Sequence, residues 1–155
     1  MRILFLFLCA TLAFAEKYAG PKPPKPDLPY LLHADNLVPT EANEAKEESR
    51  KDEVIYTIAG ATSTAKTPLA EPIFLFLSDH IPADKLEVYK LESKNGQRGL
   101  MMAKKSRRSP PHNYHVSVTK LADNLYKIEL DEALENGEYS ISPNDSNQVF
   151  CFTVY

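Results

Sequence analysis

Residues 134–155, LENGEYSISPNDSNQVFCFTVY, constrain the fold more than any other stretch of the chain. Tyr139 and Ile141 fall on one face of an extended segment, and Glu138 and Ser140 on the other, the period-two pattern of a strand. Pro143, Asn144, Asp145, Ser146 and Asn147 are turn formers. Val149–Tyr155 is then rich in aromatic and β-branched residues. The two runs predict an antiparallel hairpin with a loop of about five residues.

Upstream, apolar runs are of strand length and none is a long amphipathic helix. Val54–Ile58 reads as a strand closed by Gly60, and residues 60–68, GATSTAKTP, as a loop. Ile73–Leu77 is apolar on both faces, which predicts a central strand covered on both sides. Leu86–Leu91 reads as a strand with a bulge where its alternation slips by one. Asn95-Gly96 is a strong hairpin signal with Arg98–Ala103 as the return strand. Tyr114–Val118 and Leu125–Leu130 alternate, with Tyr114, Val116, Val118, Tyr126, Ile128 and Leu130 facing inward. About seven to eight strands at this spacing predict an all-β, antiparallel β-sandwich over residues 54–155, in place of a barrel or α/β fold.

The N-terminal region has another character. Met1-Arg2, the apolar run Ile3–Leu12 and Ala13-Phe14-Ala15 form the three parts of a secretory signal peptide, with cleavage expected after Ala15. The run is too short to span a bilayer comfortably, so the mature chain is expected without a transmembrane segment, periplasmic or secreted. Losing Arg2 takes the formal net charge from −3 to −4, which names no partner. Residues 16–29, EKYAGPKPPKPDLP, predict an extended, Pro-rich spacer. Residues 30–39 read as an arm laid on the domain. Residues 40–53, charged and without an apolar stripe, read as a solvated short helix or a flexible linker. Together, residues 16–53 form a linker and arm.

Chemistry is sparse. His112-x-x-His115 lacks the further ligands a metal requires. Ser78-Asp79-His80 has the residue types of a triad, but neighbours on a strand end point apart. Cys151, the one cysteine left after export, sits between Phe150 and Phe152 as a small hydrophobe without an activating environment. No cofactor motif is present and no catalytic residue is assigned. Lys104, Lys105, Arg107 and Arg108 crowd one loop, a candidate patch for an anionic surface ligand or an acidic protein. Nucleic acid is excluded by export and by the lack of a groove-reading helix.

Two resemblances add to this reading. Leu134-x-x-Gly137-x-Tyr139 resembles the tyrosine corner of immunoglobulin-like and fibronectin-like sandwiches, which implies that the Tyr139 hydroxyl bonds back to upstream backbone. The inter-sheet cysteine pair and tryptophan of antibody-type domains are absent. KPDLPYLLHADNLV (25–38), AEPIFLFLS (70–78), LENGEYSIS (134–142) and VFCFTVY (149–155) are together similar to small, uncharacterised exported bacterial proteins. The resemblance carries no activity. The expectation is a non-enzymatic binding or structural module of the bacterial envelope. The alternatives are an accessory subunit docking an envelope protein through its arm or an edge strand, and a small hydrolase.

Overall fold

The structure, a computed structural model, describes residues 17–104 and 109–155. The expected signal peptide, and Lys105, Arg107 and Arg108 of the basic loop, lie outside the described residues. The described residues hold fourteen strands, ten of them from Glu53 onward where seven to eight are expected, and one short 3-10 turn at Ala83–Lys85. They form two sheets that are antiparallel but for one short pair.

The smaller sheet is built from β1 (Tyr30–His33), β2 (Asn36–Pro39), β7 (Ile73–Leu77), β11 (Val116–Lys120) and β12 (Leu125–Leu130), in the order β11-β12-β7-β1-β2. β7 is thus central, as a strand apolar on both faces should be: Phe74, Leu75 and Phe76 are all buried. The larger sheet contains β3 (Glu41–Glu44), β4 (Lys46–Ser49), β5 (Glu53–Ala59), β8 (Leu86–Lys94), β9 (Gln97–Ala103), β13 (Gly137–Pro143) and β14 (Gln148–Val154). Its order is β3-β14-β13-β8-β9-β5-β4. Two short strands attach to it, β6 (Lys66–Thr67) parallel to β14 and β10 (Asn113–Tyr114) antiparallel to β8.

One face of the larger sheet meets the smaller sheet in a shared core. Leu31, Phe74, Phe76, Ile128 and Leu130 come from one side, and Val88, Tyr139, Ile141, Phe150, Phe152 and Val154 from the other. Phe152 stacks on Tyr139 at 5.6 Å and meets Phe74 edge-on at 5.2 Å. Each such aromatic pair adds about 1 kcal/mol to the burial of its area.

The opposite face of the larger sheet is also buried in part, because this sheet curls into a half-barrel. Glu41–Glu44 pairs with β14, and Lys46–Ser49, one residue later, pairs with β5 at the far edge. Between them Ala45 is buried and its N–H donates to Asn147 O at 2.7 Å. One continuous segment therefore laces the two sheet edges together. Ala45, Ile58, Leu91, Val149 and Cys151 form a second apolar cluster inside the curl, with Tyr56 and Leu100 packed on it.

Several expectations need correction. Residues 41–49 are neither helix nor linker but these two edge-lacing strands. The Pro-rich segment is no free spacer: Pro23 and Pro29 are buried, Thr40 Oγ1 donates to Pro29 O at 2.7 Å, and Asp27 N–H donates to Leu77 O at 2.8 Å. β8 has no bulge along β13, since its register runs unbroken from Leu86↔Pro143 to Leu91↔Glu138. Its apolar slip arises because Val88 serves the shared core and Leu91 the second cluster. Residues 60–68 contain β6. The run 114–118 breaks at His115, leaving β10 in the larger sheet and β11 in the smaller.

Candidate functional site

The curl of the larger sheet holds a cavity, and its walls follow from strand alternation. β8 and β9 leave the Asn95-Gly96 turn, where both residues have positive φ (53° and 74°), as a tight hairpin. Their ladder ends at Glu92↔Gly99. Beyond it β9 stays with β5, while β8 stays with β13 and takes β10 on its freed edge. The separating strands open a cavity of about 380 Å³, a size typical of small-ligand sites. Tyr89 and Leu91 line one wall and Tyr56, Ile58, Leu100 and Met102 the other, with Glu87, Ser140, Ser142 and the 143–146 turn around them.

The polar groups are few and specific. Tyr89 OH donates to Glu87 Oε2 at 3.0 Å. Burial, and then the Glu87 hydrogen bond and charge, push the Tyr89 phenol up to about 12. Burial likewise raises Tyr56, followed by the negative charges of Glu47 and Asp145. Ser142 Oγ, within the lining, is buried without a hydrogen-bond partner among the described residues, an arrangement that costs stability unless a ligand or water satisfies it.

The far end of the curl carries a buried ion cluster. Arg98 is 1% exposed; its Nη2 donates to Glu41 Oε1 at 2.7 Å and Ala59 O at 2.9 Å, and its Nε to Gly60 O at 3.0 Å. Its Nη1 lies 3.9 Å from Glu138 Oε2 and makes no hydrogen bond. Backbone N–H groups of the 60–65 loop complete the carboxylates: Thr64 N–H donates to Glu41 at 2.7 Å and Ser63 N–H to Glu138 at 2.9 Å. Burial pushes the Glu41 carboxyl up, but Arg98, Thr64 and Asn43 more than offset it and hold it at about 2. Cys151 is fully buried and its thiol is pushed up to about 11, chiefly by burial, so it is no nucleophile at neutral pH.

The other candidates disperse. Lys104 Nζ is taken by Ser49 Oγ and by Arg50 O at 2.6 Å, so it does not stand free for an anionic ligand. Tyr139 OH donates to Glu135 O at 2.8 Å, Leu134 is buried, and a Cβ on Gly137 would approach Lys90 Cε to 3.1 Å. These three residues hold the 134–139 corner against β8. His112 pairs with Glu132 at 2.8 Å and His115 with Asp131, so the two imidazoles serve different carboxylates. Ser117 Oγ donates to the same Asp131 at 2.7 Å. That order, serine to aspartate to histidine, leaves no imidazole on the serine and is not a nucleophile relay. Ser78 Oγ is spent on Ile81 O at 2.7 Å.

Asp27, Asp79 and His80 are near enough to share a cation, a grouping absent from the sequence reading because Asp27 is remote in the chain. Asp27 is already occupied, however. Its carboxylate accepts the N–H groups of Asp79, His80 and Ile81 and pairs with His80 Nδ1, all between 2.9 and 3.0 Å. It acts as a cap that fastens the Pro-rich segment to the 78–82 turn.

Among the described residues no helix is long and apolar enough to cross a membrane. Compared with known proteins, the chain matches no family model, no curated protein and no solved structure.

Proposed function

We propose that this chain is a non-enzymatic binding module of the bacterial cell envelope, exported by its N-terminal signal, and that it binds a small molecule in the curled sheet. The observation that carries the reading is the cavity itself: apolar and aromatic walls, a handful of polar groups, and an unpartnered Ser142 hydroxyl. That composition suits recognition of a compact ligand. Kinship with immunoglobulin-like sandwiches belongs to the same proposal and is supported by the Tyr139–Glu135 bond. The docking alternative has a specific basis too: β2 and β11 are the two edge strands of the smaller sheet among the described residues, and edge strands are where strand addition occurs.

The test is a small-molecule fragment screen on the exported chain and on Ser142→Phe, whose ring would fill the cavity. Hits should weaken at least tenfold in Ser142→Phe while its thermal unfolding stays cooperative. Hits indifferent to the substitution would place binding elsewhere, and partner capture competed by a β2 peptide would favour docking.

A further inference from the structure

Among the described residues the cavity's charge is one-sided: its lining contains two carboxylates, Glu87 and Asp145, and neither lysine nor arginine. A third carboxylate, Glu47, stands close enough to raise the Tyr56 phenol together with Asp145. Two tyrosines from opposite walls, Tyr56 and Tyr89, supply aromatic surface, and the Tyr89 hydroxyl steadies Glu87 by its 3.0 Å hydrogen bond. The remaining walls are hydrocarbon: Ile58, Leu91, Leu100 and Val149. Carboxylates beside aromatic rings over an apolar floor are complementary to a cation with a hydrophobic body. The ring quadrupole and the carboxylate attract the charge, and burial of the hydrocarbon supplies non-directional affinity.

We propose that the curled sheet takes a small amphipathic monocation, an ammonium carried on an aryl or alkyl chain. Its charge lies between Glu87 and Asp145, and its apolar body packs toward Leu91 and Leu100. Ser142 Oγ, unpartnered and lining the same cavity, accepts one ammonium N–H. This inference rests on the small-molecule reading above and narrows its ligand class.

The experiment compares 4-phenylbutylamine, 4-phenylbutanol and 4-phenylbutyric acid on the exported chain by titration calorimetry at neutral pH. The three probes share a hydrocarbon body and differ in charge. The amine should bind about tenfold tighter than the alcohol, and the acid weakest. Glu87→Gln and Asp145→Asn should each cost the amine about threefold to tenfold and leave the alcohol unchanged. Both are conservative substitutions on a partly open cavity and should keep the fold. Equal binding of amine and alcohol, or tighter binding of the acid, overturns the cation assignment and leaves the cavity as an apolar site. Failure of all three probes to bind overturns both the cation assignment and the small-molecule reading.

Discussion

Arg98→Met tests whether the ion cluster at the end of the curl stabilises the fold. The substitution keeps a long apolar stem and removes the guanidinium. Three hydrogen bonds are lost, to Glu41, Ala59 O and Gly60 O, and Glu138 loses its nearest cation at 3.9 Å. Glu41 and Glu138 remain, 20% and 11% exposed as side chains, with a negative charge each and no cation between them. Stripping one partner from a buried pair costs about 3–5 kcal/mol. The carboxyl itself gives a similar scale: the fall of Glu41 from 4.5 to about 2 corresponds to about 3 kcal/mol. Part of that belongs to Thr64 and Asn43. Because the folded-state value is depressed, this stabilisation is present above pH about 4.5 and is lost as pH falls towards about 2. Urea unfolding followed by circular dichroism should therefore show Arg98→Met weaker by about 3–5 kcal/mol at pH 7. Its deficit should shrink as the pH is lowered through the window in which Glu41 takes up its proton. Arg98→Lys should fall between, since it keeps a charge but not the planar fork. A loss under 1 kcal/mol, or a deficit independent of pH, would refute the reasoning.

Other expectations follow from single contacts. Tyr139→Phe keeps the stack on Phe152 but leaves Glu135 O without its donor, and should cost about 1 kcal/mol in the same unfolding assay. Asp27→Ala frees the N–H groups of Asp79, His80 and Ile81 and should cost about 1–3 kcal/mol, with faster hydrogen exchange confined to the Pro-rich segment and the 78–82 turn. Cys151, fully buried with its thiol pushed up to about 11, should resist thiol reagents in the folded chain and react at once in urea. Expressed with its full N-terminus, the chain should be recovered outside the cytoplasm and begin at Glu16 on N-terminal sequencing.

Much of the architecture is legible in local pattern, and the reasons are physical. The 137–155 hairpin shows because its turn residues and its alternation are both properties of neighbours in sequence. β7 shows because a strand covered on both faces has no polar side to disguise it. Glu41–Ser49 does not show, because Glu, Ala, Asn and Lys have weak strand preference and pair here only through edges supplied by β14 and β5. The charge on Glu41 is answered by an arginine fifty-seven positions later, beside a hairpin turn where any reading of the sequence expects a solvated residue. The cavity is hidden for the same reason. It exists because β8 and β9 part after Glu92↔Gly99, where β9 follows β5 while β8 follows β13 and takes β10 on the edge it frees, and all three partners are remote in sequence. The one local trace was the slipped alternation of Leu86–Leu91, which records a strand serving two clusters.

The central claim, that the curled sheet is a binding site, is tested most directly by backbone-amide chemical-shift mapping of the isotope-labelled chain titrated with 4-phenylbutylamine. The account predicts saturable shifts at Tyr56, Glu87, Tyr89, Leu100 and the 142–146 turn, with the smaller sheet unmoved. Shifts centred on the Asp27, Asp79 and His80 grouping, or scattered and non-saturating across the surface, would contradict it.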